Sequence, residues 1–230
     1  MDDSAIAALV KMRQSLQEQK SIYAKTEGTV DHINEAGFLI KELYRSEVWI
    51  DQPHRLRLSS VSGKNSLREL FFDGKTVTFY DIDNKLYATM PLPGTLDDLF
   101  DTLRLYGIEL PFTSIYHIFD RQPVPPDVSA ALDLGKETVS DIACRHYAYR
   151  KRDLDWQMWV PEDGMLLPIR FAAINRASAL RPQYIAQTQW EKKDRLDDAV
   201  FAFKPPKDAR QVTFKELSKK KVSSMSAELL

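Results

Sequence analysis

Along residues 155–171 hydrophobic and polar positions alternate. Trp156, Met158 and Val160 share one parity, and Asp155, Gln157 and Trp159 share the other. This is the period-two pattern of a strand with two different faces. Pro161-Glu162-Asp163-Gly164 supplies turn chemistry, after which Leu167, Ile169 and Phe171 resume the alternation. The pattern predicts an antiparallel hairpin with one apolar face. Trp159, on the other parity, predicts that the second face is partly covered too.

Around this hairpin the chain reads as helix, meander, helix, meander. Over residues 2–23, Ile6, Leu9, Val10, Leu16 and Tyr23 keep helical spacing, and Asp3 or Ser4 can cap the start. An amphipathic helix lying across a sheet is expected. Strands follow at 25–33 and 38–50, joined by the Asn34–Gly37 loop. In the next, at 55–61, Arg55 and Arg57 share one parity and Leu56 and Leu58 the other. Residues 67–72 lead into Asp73-Gly74, a two-residue hairpin signal. Strands 76–80 and 85–90 then flank a turn at 81–84.

Pro91 to Gly94 stops the sheet. Thr95, with Asp98 three residues on, forms a capping-box variant that opens a second helix over 95–106. Its apolar stripe is Leu96, Leu99, Phe100 and Leu103, with Gly107 as the C-cap. A short helix is expected over 112–119, and the proline-rich 121–127 reads as a loop inside one domain. Further strands are expected at 137–139, 144–149, 184–190 and 200–203. The fold class is α+β: an incomplete antiparallel β-barrel, a strongly curved sheet with helices covering its concave face. Residues 1–214 form one domain, and 215–230 form a basic polar tail, helical or disordered.

Composition narrows the function. The chain has 230 residues, 43% hydrophobic and 28% charged, with a formal net charge of -1. No excess of positive charge exists to follow a phosphate backbone, so nucleic acid is not an expected partner. No apolar run of about 18 residues spans a membrane. Residues 1–14 lack the pattern of a secretory signal, which fits a cytoplasmic chain or a mature one whose signal has been removed. Cys144 is the one cysteine, so no internal disulfide is available and cysteine usage leaves the compartment open.

Several residues invite chemical readings. Cys144 and His146 share a strand face and could form a nucleophile–base pair or two metal ligands. No orienting partner or further ligand is identifiable, so a core cysteine with a polar neighbour is the preferred reading. Asp81-Ile82-Asp83-Asn84 opens like a calcium loop but has Leu86 and Leu92 at positions six and twelve, so it reads as a turn. Asp153 and Asp155 read as solvated acids near a strand start, and Lys219–Lys221 as a solubilising run. No catalytic residue, metal site or cofactor is expected.

The stretches RLRLSS (55–60), LFFDGKTVTFYDIDNKLYATMPLPGTLDD (70–98), YGIELP (106–111) and CRHYAYR (144–150) carry a family resemblance. DWQMWV (155–160), LPIRF (167–171) and FAFKPPKDA (201–209) extend it over most of the chain, leaving out the first helix and the tail. Together they resemble the predicted periplasmic proteins of unknown function in the LolA/LolB-like lipoprotein-carrier superfamily. The resemblance implies a periplasmic location, with the signal sequence absent from this chain. It also implies a hydrophobic cavity, plugged by helices, that accepts acyl chains. Arg55 and Arg57 are the candidates for the arginine that latches the lid in the carriers.

The expected function is therefore a non-enzymatic binding or carrier module for a lipid or a lipoprotein acyl chain. Phe71, Phe72, Phe79, Tyr80, Trp156, Met158 and Trp159 are the cavity candidates, with plain core packing as the competing reading. Leu96, Leu99, Phe100 and Leu103 are the lid candidates. The alternative is a protein-interaction or envelope-sensor module that uses the same curved sheet for an envelope protein partner. A small enzyme built on Cys144 and His146 comes behind both.

Overall fold

The computed structural model describes residues 1–63, 66–106, 124 and 127–221. The expected Gly107 cap, the 112–119 helix, most of the proline-rich 121–127 stretch, the Lys219–Lys221 side chains and residues 222–230 lie outside the described residues. Helix α1 (Asp3–Gln17) precedes six strands: β1 (Ser21–Ile33), β2 (Leu39–Asp51), β3 (Arg55–Ser62), β4 (Ser66–Phe72), β5 (Thr76–Asp81) and β6 (Leu86–Pro91). Helix α2 (Leu96–Leu105) leads towards β7 (Ala130–Val139), β8 (Ile142–Lys151), β9 (Leu154–Pro161), β10 (Arg170–Asn175) and β11 (Gln183–Lys193). A 3₁₀ turn (Asp198–Val200), β12 (Arg210–Gln211) and α3 (Phe214–Lys221) complete the described chain.

All twelve strands form one sheet in the order β12-β6-β5-β4-β3-β2-β1-β11-β10-β9-β8-β7. Consecutive strands pair as hairpins, and the two meanders join where β1 pairs antiparallel with β11. Strand β7 does not pair with β6 or β12, so the barrel is unclosed. The concave face is instead covered by helices. α1 packs Ala5, Ala8, Leu9, Met12 and Leu16 onto a cluster that includes Trp156, Met158, Phe171 and Tyr184. α2 and α3 cover a second cluster around Leu58, Leu70, Phe72 and Phe79, to which α3 contributes Phe214 and Leu217. Packed chain therefore extends beyond residue 214.

The structure corrects several boundaries. α1 ends at Gln17, and Tyr23 lies in β1 on the convex face, its ring 5.3 Å from that of Trp49. The helix N-cap is Asp2 rather than Asp3 or Ser4, and it makes no side-chain cap bond. Its carboxylate accepts from the Asp133 amide of edge strand β7 instead. The expected strand at 167–171 enters the ladder only at Arg170, because Pro168 has no N–H to donate.

The two-residue turn after β4 is Gly74-Lys75, one position later than expected. The Asp73 amide donates to the Thr76 carbonyl, and Gly74 takes φ +85° at no steric cost. The expected strand at 200–203 is no strand. It is a strap that lays Phe203 on the convex face, 5.2–5.5 Å from the rings of Phe71, Tyr80 and Tyr87. Pro205 and Pro206 cannot donate to a ladder, and the last strand is β12, parallel to β6.

The covered stripe of α1 generates a test. Leu9→Ala should lower stability by about 2–5 kcal/mol, whereas Val10→Ala should stay within about 1 kcal/mol. Urea unfolding monitored by circular dichroism reads both, and equal effects would mean that the helix packs by a different face.

Candidate functional site

Strand register places every concave side chain. Under α2, the rows Ile22–Ile50–Leu56–Phe72–Val77 and Ala24–Val48–Leu58–Leu70–Phe79 are apolar across five strands. The next row is different. Thr188, Thr26, Ser46, Ser60, Arg68 and Asp81 lie side by side from β11 to β5. Thr26, Thr188, Ser46 and Asp81 are buried. Thr26 and Thr188 hydroxyls are 2.9 Å apart and hydrogen-bonded, and Arg68 pairs with Asp81 at 3.4 Å and Asp83 at 3.6 Å.

Beyond this row lies most of the α1 cluster, which also takes in Ile22 from the first of the apolar rows. Gly28 lies beside Ala186 and Tyr44, and Tyr44 donates to Tyr184 with the rings stacked 5.3 Å apart. A Cβ on Gly28 would meet the Ile185 carbonyl oxygen at 2.1 Å and the Tyr44 ring at 2.8 Å, so only glycine lets the ring lie flat on the sheet. Burial raises the pKa of both phenols far above the ordinary tyrosine value. They act as a neutral hydrogen-bonded pair. Deeper in the same cluster the indole N–H of Trp156 is buried and has no partner among the described residues. The concave face is thus two apolar fields separated by a strip of hydroxyls that ends in an ion pair.

The candidate residues divide by face. Phe72 and Phe79 lie on the concave side beneath Leu96, Leu99, Phe100 and Leu103, all four of which are buried. Trp156 and Met158 are also concave, but they belong to the α1 cluster. Phe71, Tyr80 and Trp159 are on the convex face and cannot line the concavity. Each has the opposite parity to a concave neighbour in its own strand, so one surface cannot hold them all.

The latch candidates are corrected for the same reason. Arg55 is convex, bonded to Asp51 and Asp198 and 4.7 Å from the Phe201 ring. Arg57 is convex as well, pairing with Glu69 at 2.7 Å between the rings of Trp49 and Phe71. Arg68 is concave, on the parity of Leu70 and Phe72, and so is Arg145, opposite Val160 under α1, where it pairs with Asp133 at 2.8 Å.

The capping variant is present: the Thr95 amide and hydroxyl both donate to Asp98 Oδ2, at 2.7 and 2.9 Å. It starts α2 on the concave side, where Leu96 donates to the Pro53 carbonyl.

The chemical candidates find ordinary partners. Cys144 and His146 do share the convex side. His146, however, contacts Glu137 through Nδ1 at 3.1 Å and Gln157 through Nε2 at 2.9 Å, and stacks on Trp159 at 4.0 Å. Neither ring nitrogen remains for the thiol, and burial pushes the Cys144 thiol up, away from the thiolate. Glu137 is held below the ordinary carboxylate value by the Trp159 indole N–H and by His146. Asp155 is held down by Arg150, and Asp81 accepts from Asn84 within its turn. Among the described residues no cluster of three or more His, Cys, Asp or Glu could hold a metal ion. No helix among them is long and apolar enough to cross a membrane.

The described chain is thus an unclosed antiparallel barrel with helices laid into its concave face. The chain belongs to the family described as "Predicted periplasmic protein (DUF2092)", whose model matches residues 5–215, and its location is accordingly periplasmic. No curated protein matches it. Among solved structures, an uncharacterized conserved protein from Thermus thermophilus is similar at TM-score 0.56 and 12% identity, over 92% of this chain and 99% of that one. The Mycobacterium tuberculosis lipoprotein LppX gives 0.49 and 10%, over 86% and 100%. A LolA superfamily protein from Nitrosomonas europaea gives 0.43 and 13%, over 86% and 97%. At such identities the Thermus likeness speaks to fold alone.

The hydroxyl strip can be tested without a ligand. Thr26→Val should cost about 1–3 kcal/mol, because the Thr188 hydroxyl is left buried and unpaired. Adding Thr188→Val should recover much of that loss. A double-mutant cycle by chemical denaturation measures it, and strictly additive losses would mean that the two hydroxyls are not coupled.

Proposed function

We propose that the protein binds an amphiphilic lipid or a lipoprotein acyl chain on its concave face, as a carrier rather than as an enzyme. One observation carries the reading: a buried hydroxyl strip with Arg68 runs between two apolar fields. Such a surface matches a molecule with a hydrocarbon tail and an oxygen-bearing head. A tail gains roughly 0.8 kcal/mol per methylene removed from water. A dozen methylenes thus provide ample driving force before the conformational costs of opening are met.

In this reading α2 is the lid. It is only ten residues long and is held by its apolar stripe and its cap, so lifting it exposes Phe72 and Phe79 together. Membership of a predicted periplasmic family agrees with a role in the cell envelope.

A second reading is favoured by the β1–β2 hairpin. Pairing to β11 stops at Val30 and pairing to β3 starts at Tyr44, so its end projects beyond the sheet. Phe38 and Leu43 there are 66% and 75% exposed, with Leu39 and Ile40 beside them. An envelope protein would cover this tip.

Three experiments address these readings. Protein purified without detergent should show, by native mass spectrometry, a species of lipid mass that is released on denaturation. An unshifted mass after incubation with fatty acids and phospholipids would rule out simple lipid binding. Leu99→Asp and Phe100→Asp variants shown to be folded should lose uptake of a fluorescent fatty acid, and unchanged uptake would remove the lid role. For the second reading, Phe38→Ser with Leu43→Ser should leave stability unchanged and abolish capture of an envelope protein. Identical capture by both forms would discount the tip.

A further inference from the structure

The convex face carries a second recess, of about 370 Å³, between strands β4–β6 and the strap over residues 194–209. It lies within the roughly 300–1,000 Å³ range of small-molecule sites. Its floor is the outward row Phe71–Thr78–Thr89, and Tyr87, from the next row, borders it. The strap supplies the opposite wall through Phe201 and Phe203. It is fastened at both ends, by Arg55 to Asp198 and by Lys85 to Asp208. These contacts hold the wall in place without filling the recess.

The lining has a definite chemistry. Tyr87 and Phe203 pack on each other 5.2 Å apart, inclined at 48°, and both stay partly exposed, so the sides of the rings turned to the recess offer apolar surface. Thr78 and Thr89 hydroxyls lie 2.8 Å apart. One donates to the other, which leaves one hydroxyl hydrogen for a ligand. Asp73 Oδ1 is taken by the amides of Lys75 and Thr76 and by the Thr76 hydroxyl. Among the described residues its Oδ2 has no partner. The exposed Gln211 amide adds a donor and an acceptor at the rim.

We propose that this convex recess is a binding site for a neutral saccharide of about two rings, separate from the concave lipid site. A pyranose has C–H groups on its faces and hydroxyls around its edge. The rings of Tyr87 and Phe203 suit the faces, and the Thr89 hydroxyl, Asp73 carboxylate and Gln211 amide suit the edge. A hydrocarbon chain would leave those polar groups dry. An anion would meet Asp73 with no unpaired cation on the lining to offset it.

Amide chemical shifts followed while the full chain is titrated with cellobiose, maltose or N,N′-diacetylchitobiose test the proposal. At least one of the three should shift the amides of Tyr87, Thr89 and Gln211. Tyr87→Ala, at a half-buried position, and Gln211→Ala, at an exposed one, should each weaken that binding roughly tenfold in variants shown to be folded. Fatty-acid uptake should stay unchanged in both variants, so failure here is distinguishable from failure of the concave site. No shift with any of the three sugars overturns the proposal. So does binding unaltered in both variants, or displacement of the same amides by fatty acid alone.

Discussion

The structure depends on covering one face of an open sheet. Twelve strands curve far enough to make a concave apolar surface, but the ends do not meet, so pairing alone cannot bury it. α1 covers β7–β11 together with Ile22 and Tyr44 of β1 and β2, and α2 with α3 covers the rest of the β1–β6 half. The edges are managed by the same elements. Asp2 and Ser4, at the start of α1, bond to Ala131 and Asp133 of β7, and a bulge between Asp133 and Gly135 interrupts that edge further. At the other end β12 adds two residues to β6. The helices are therefore a condition of the open sheet, held by side-chain packing that can be undone locally.

That arrangement leads to function because the two covers do not share one field. Trp190 touches both clusters and Ile22, on the α2 side of the strip, packs with α1, yet from β2 to β5 the two fields are parted by the Ser46–Ser60–Arg68–Asp81 row. A purely structural core would gain more from apolar residues at those positions. Hydroxyls that pair with one another are tolerable when dry and remain able to bond to an incoming polar group. The convex face is organised by the same register. Tyr23, Trp49, Arg57 and Phe71 form one outward row, and the strap builds a wall beside its end.

Much of this was legible in local pattern. Alternation in Trp156–Val160, in Arg55–Leu58 and in the short meander strands located the hairpins. Thr95 with Asp98 announced α2, and its four-residue stripe is the part that is buried. Shared chemistry does not imply a shared face, because parity divides the aromatic residues between the two sides of the sheet. Phe71 and Phe72 are adjacent, so one of them had to point outwards, and Tyr80 and Trp159 are separated from Phe79 and Met158 in the same way. Arg68 shares parity with the apolar Leu70 and Phe72 of its strand, whereas Arg55 and Arg57 stand on the opposite parity to Leu56 and Leu58 in theirs. Val200–Phe203 looked like a strand because a strap that alternates rings against a surface has the same pattern as a strand that alternates them against a core.

By itself, then, the sequence determined the kinds of element, most of their boundaries and which side chains within each strand share a face. These follow from backbone geometry and turn chemistry acting over a few residues. The tertiary structure alone decided which face became concave and which strands from the two meanders adjoin. It also decided what lies between the covers. Thr26 and Thr188 meet across 162 residues, and no local pattern can specify that meeting. It is set when β1 and β11 choose each other so that both halves of the sheet bury their large side chains beneath a helix.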